Sequence, residues 1–173
     1  VNSRCQMGIQ GALVAIARNA VTEDSFELMD GLGQLLAAQA KYDEALTWYD
    51  KSLAIKLEKL GPDQPETANV YNNIASVYCK QGEYTQALAF YDKGLTICVR
   101  TLGPDHPGTA NVYNNMASVY DNLGEYTQAL ALYDKGLAIC LRTIGPDSPT
   151  SATMYDNIAS VYCKQGEYTQ ALA

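Results

Sequence analysis

One histidine, His106, stands in 173 residues, and there is no CxxC pair and no glycine-rich phosphate loop. Acid–base and nucleophilic catalysis need a titratable side chain held beside a second reacting group. The acidic residues here recur at fixed spacing instead, as Glu83, Glu125 and Glu167 do. His106 corresponds to Gln64 and Ser148 elsewhere in the chain and reads as a loop residue or helix cap. The sequence therefore predicts no enzyme, no metal centre and no cofactor. Basic residues are also scarce, with Lys and Arg numbering 12 against 19 Asp and Glu for a net charge of −7. Affinity for a phosphate backbone depends on Lys and Arg releasing counterions, so a nucleic-acid partner is disfavoured. The five cysteines, Cys5, Cys79, Cys98, Cys140 and Cys163, lack metal-ligand spacing and read as free thiols of a reducing compartment. No apolar run approaches the roughly 18 residues that span a bilayer. Cytoplasmic location and no membrane partner are the expectation.

What the chain has is a block of 42 residues that returns almost unchanged. Gly61-Pro62-Asp63 recurs at 103 and 145, and Gly82-Glu83-Tyr84-Thr85-Gln86-Ala87-Leu88 recurs at 124 and 166. Residues 66–107 and 108–149 are identical at 32 of 42 positions. A fixed period of this length marks a repeat array, in which each unit buries its apolar face against its neighbours.

Within a unit, Tyr71, Ile74, Ala75 and Tyr78 fall at i, i+3, i+4 and i+7, one stripe of a helix that Gly82 stops. A second stripe, Tyr84, Ala87, Leu88, Tyr91, Leu95, Cys98 and Leu102, runs to Gly103-Pro104. Pro107 presets φ for the next helix, with Asp105 or His106 as its cap. Ala75, Ala87, Ala117 and Ala129 imply close approach of paired helices. Gly94 and Gly136, each costing about 0.5–1 kcal/mol inside a helix, imply contacts too tight for a Cβ. The fold class is all-α: a right-handed superhelical solenoid of antiparallel helix pairs, with seven helices from Phe26 to Leu172 and the last cut short. The units are 25–65, 66–107, 108–149 and 150–173. Residues 1–24 fit no unit, but Ile9, Leu13, Ile16, Ala17 and Ala20 predict a capping helix. Val1 and the ending Gln170-Ala171-Leu172-Ala173 predict a piece of a longer array.

The positions Tyr71, Ala75, Tyr78, Gly82, Tyr84, Ala87 and Tyr91 resemble the small-residue and aromatic pattern of the tetratricopeptide repeat. The unit length, the linker Leu102-Gly103-Pro104-Asp105-His106-Pro107 and Tyr91-Asp92-Lys93-Gly94-Leu95 resemble the longer variant of kinesin light chains.

The opposite face of each first helix carries the functional expectation. Asn69, Asn72, Asn73, Ser76 and Lys80 share one side, followed by Asn111, Asn114, Asn115, Ser118 and Asn122, and then by Thr153, Asp156, Asn157, Ser160 and Lys164. Asn is a poor choice in mid-helix, where it competes for backbone hydrogen bonds. A ladder of carboxamides pairs well with the backbone of an extended peptide. It serves equally to bridge neighbouring helices, or is a copied solvated face. The resemblance implies that the face is concave and that Asn73, Asn115 and Asn157 take the peptide-clamping position. With Lys80 and Lys164 set against Asp30, Asp121 and Asp156, the expected partner is a neutral to basic protein segment rather than an acidic one. The expected function is an interaction scaffold or adaptor, kinesin light chain-like. The alternative is a structural spacer or self-associating array. Tyr155, Ile158, Ala159 and Tyr162 lack cover, so the C-terminal end is expected to fray or to pack on another molecule.

Overall fold

The computed structural model describes residues 25–171, so the expected capping helix in 1–24 lies outside the described residues. These form α1 (Ser25–Ala38), α2 (Tyr42–Lys59), α3 (Pro65–Gln81), α4 (Tyr84–Thr101), α5 (Pro107–Asn122), α6 (Tyr126–Thr143), α7 (Pro149–Gln165) and α8 (Tyr168–Ala171), with no strand among them. Eight helices stand where the sequence reading gives seven, because Gly166 at φ 79° ends α7 and leaves the short α8 as its own element.

The turn inside each hairpin follows from glycine's tolerance of positive φ. Gly82 sits at φ 80°, with its N–H on Cys79 O and the Glu83 N–H on Tyr78 O, which satisfies the last carbonyls of α3. Ala40 takes the same conformation at φ 58° without glycine's freedom. In the linkers, His106 is the cap rather than Asp105: its Nδ1 accepts from the Gly108 N–H at 3.0 Å. The fully buried hydroxyls of Thr67, Thr109 and Ser151 donate to the carbonyls of Gly61, Gly103 and Gly145, fixing each linker to the helix after it. Asp63 and Asp105 form ion pairs with Arg100 and Arg142 near the ends of α4 and α6.

The core is a row of small clusters. Ala75 and Ala87 are fully buried together with Tyr91, and Ala117 and Ala129 together with Tyr133, as close hairpin packing requires. Each second helix also touches the first helix of the next unit. First helices α1, α3, α5 and α7 touch in succession, whereas no two second helices meet among the described residues. The first helices are thus the tighter, inner layer of a curved array.

Candidate functional site

The polar positions of the first helices divide by direction. Asn73, Ser76 and Lys80 line a depression of about 170 Å³ between α1 and α3, completed by Gln34, Ala37, Tyr49 and Val77. A second, of about 250 Å³, lies between α5 and α7 and is lined by Asn111, Asn114, Thr150, Thr153 and Met154, among others. Asn73 and Asn115 are half-buried on this inner layer, and neither carboxamide bonds another described residue. Asn69 and Asn111 are exposed.

A diagonal rule connects successive first helices: a residue meets the one 43 positions earlier. Asn157 Nδ2 donates to Asn114 Oδ1 at 3.0 Å. Lys164 Nζ contacts Asp121 at 2.7 Å, and that hydrogen bond, against some desolvation, raises the Lys164 pKa. Asn122 Nδ2 points at Cys79 Sγ at 3.9 Å. Lys80 would meet Ala37 by the same rule, and no carboxylate pairs with it among the described residues. The inner layer is therefore internally paired toward α7 and has its hydrogen-bonding capacity unused around α3.

The hydroxyls have another use. Ser118 Oγ lies 2.9 Å from Tyr133 Oη and so ties first to second helix, and Ser76 holds the equivalent place in the preceding unit, near the Tyr91 phenol. Burial raises the pKa of both phenols. Ser160 is exposed.

One series points elsewhere than the sequence reading placed it. The position held by Asp30, Asn72, Asn114 and Asp156 faces the second helix of its own hairpin, not the inner layer, except where Asn114 turns to Asn157. Asp30 Oδ2 accepts from Lys56 Nζ at 2.6 Å, with Lys56 only 3% exposed, and Asp30 Oδ1 is buried without a partner. Asn72 Oδ1 is also buried and unpartnered, pressed on Gly94: a Cβ there would come within 2.6 Å of it. Asp156 lines a depression between α6, α7 and α8. The helical period explains the difference, since this position lies three residues before the fully buried Ala75 or Ala117 and so shares the hairpin side. In α1 the residue at the alanine position is Gly33, which lies against the Tyr49 ring.

Sequence reasoning missed the buried Lys56. Its signal was present: where the other units carry Cys98 and Cys140 the first carries Lys56, and where α3 and α5 carry Asn72 and Asn114 α1 carries Asp30, a paired change. Among the described residues no cluster of three metal-binding side chains occurs, and no helix is long and apolar enough to cross a membrane.

Antiparallel helical hairpins stacked with their first helices inward define an α-helical repeat solenoid. The tetratricopeptide repeat model matches residues 24–78, 66–140 and 112–173, and the chain belongs to that family. No curated protein sequence matches it. Among solved structures, BtubC (BKLC) from P. vanneervenii is similar with a TM-score of 0.83 and 21% identity, covering 97% of this chain and 71% of that one. A Podosopora anserina protein described as kinesin light chain with nearly identical TPR-like repeats gives 0.74 and 19%, covering 98% and 81%. The apo form of RapI gives 0.80 and 17%, covering 98% and 46%. These similarities establish a kinesin light chain-like repeat fold. Proteins of this family generally bind protein partners, and the fold is typically that of a non-enzymatic scaffold.

Proposed function

We propose that the chain is an adaptor module whose inner layer holds an extended or helical segment of a protein partner. The observation that carries this reading is the pair Asn73 and Asn115: two carboxamides at equivalent sites on adjacent inner helices, with donor and acceptor unused among the described residues. A carboxamide that costs helix propensity and forms no internal bond is best accounted for by a ligand backbone that pairs with it. Asn157 holds the same register but is engaged with Asn114, so the gripping stretch centres on α3 and α5. With one unpaired lysine and few other charges on this stretch, binding depends weakly on salt and favours neutral or basic segments.

The spacer reading has its own support in the Asn157–Asn114 and Lys164–Asp121 bridges, which use the same face to join helices. Peptide-library capture separates the two. The adaptor reading expects the Asn73→Ala/Asn115→Ala double variant to lose capture while unfolding at an unchanged denaturant midpoint. Unchanged capture, or a preference for acidic peptides, rejects it.

A further inference from the structure

Four carboxamides of the inner layer bond no other described residue: Asn69 and Asn73 on α3, and Asn111 and Asn115 on α5. Both helices have a described first helix on either side, α1 and α5 for α3, and α3 and α7 for α5. On each helix the two asparagines are four residues apart, which sets their Cβ atoms about 5–6 Å from each other on one side. From α3 to α5 each position returns after 42 residues. The set is therefore two parallel rows crossing the helices, one through 69 and 111 and the other through 73 and 115.

The pitch of a row selects the conformation that can pair with it. Successive first helices bring Cα atoms within 8 Å of one another, and helices in such contact lie about 8–10 Å apart, axis to axis. Each row thus offers one carboxamide per about 8–10 Å. An α-helical segment keeps its backbone groups bonded internally and leaves none for a carboxamide except at its ends. A β-strand turns its backbone groups to one side every second residue, about 6.6 Å apart, and falls out of step within one unit. A polyproline II segment turns once in three residues, so its backbone groups recur on one side about every 9.3 Å, and none of them is bonded internally.

We infer that the partner segment lies on the inner layer as a polyproline II helix, in step with the array at three residues per repeat unit. Its composition follows: a proline-rich, neutral to basic stretch that keeps a free backbone N–H at every third residue. Proline at the other two positions presets the conformation and lowers the ordering cost of binding. The inference rests on the adaptor reading and names the conformation and composition of what that layer takes.

The test titrates three uncharged twelve-residue synthetic probes by fluorescence anisotropy against the 173-residue chain and its Asn73→Ala/Asn115→Ala variant. The probes are four Pro-Pro-Gln triplets, six Pro-Gln pairs and six Thr-Gln pairs. The first two favour polyproline II, but only the triplets bring an N–H to the same side at every turn, and the third favours a strand. The triplet probe is expected to bind about tenfold more tightly than either other probe and to lose about tenfold in the double variant. Equal binding of the Pro-Gln or Thr-Gln probe, with the same loss in the variant, overturns the three-residue register and leaves the adaptor reading standing. Triplet binding unchanged in the variant overturns both. No binding of the triplet probe overturns the inference, while library capture decides the adaptor reading on its own.

Discussion

Asn72 and Asn73 are adjacent residues of one type with opposite duties, and a helix's step of about 100° per residue is the reason. Asn73 lies on the inner layer, whereas the Asn72 oxygen is sealed against Gly94. A buried acceptor without a donor costs about 1–3 kcal/mol. Asn72→Ala is therefore expected to leave stability unchanged or improved, measured by denaturant unfolding, and to spare peptide capture. Gly94→Ala should cost about 1–3 kcal/mol in the presence of Asn72 and much less in the Asn72→Ala background. Additive effects of the two substitutions would contradict the contact. The sequence made Gly94 legible as a close approach, but not the atom it approaches, since spacing assigns a face and not a rotamer. Tyr49 offers a second reading at this scale. Burial first, and then the Asp30 carboxylate, push its phenol from the ordinary 10.0 up to about 12. The folded value lies above the unfolded one, so this contribution to stability is intact below pH 10 and is lost as pH rises through about 12. Tyr49→Phe should flatten that part of the alkaline stability curve.

Between helices, the paired stripes were fully legible. Glycine stops and proline starts located the hairpins from Pro65 onward, and the period alone located the first, whose turn is Ala40 and whose first helix opens without proline, because local signals and tertiary packing agree in a repeat. The buried hydroxyls of Thr67, Thr109 and Ser151 were not, although their recurrence six residues after each linker glycine was visible. Nor was the Asp30–Lys56 pair between α1 and α2. Removing one member of a buried pair strands the other at about 3–5 kcal/mol. Lys56→Ala should destabilise the first hairpin by that order in calorimetry, whereas Asp30→Asn with Lys56→Cys, which rebuilds the combination found in the next two units, should cost far less. Equal losses would show that the pair is not the source of the penalty.

As a whole, the molecule distributes stability as a sum of neighbouring interfaces, so opening should begin at its ends. Hydrogen exchange is expected to be slowest in α3–α6, each covered on two sides, and fastest in α8, where no residue is buried. Uniform protection along the array would contradict this. The curvature that makes the first helices an inner layer was available from the sequence only through family resemblance, since contact between α1, α3, α5 and α7 is a property of stacking and not of any one unit. The central claim is that this layer grips a partner's backbone through Asn73 and Asn115. The most direct measurement is the side-chain amide spectrum of the chain by nuclear magnetic resonance, with and without a peptide recovered from the library. The account predicts that the Asn73 and Asn115 resonances shift on binding while Asn72 stays still. Shifts confined to α2, α4 and α6, with Asn73 and Asn115 unmoved, would contradict it.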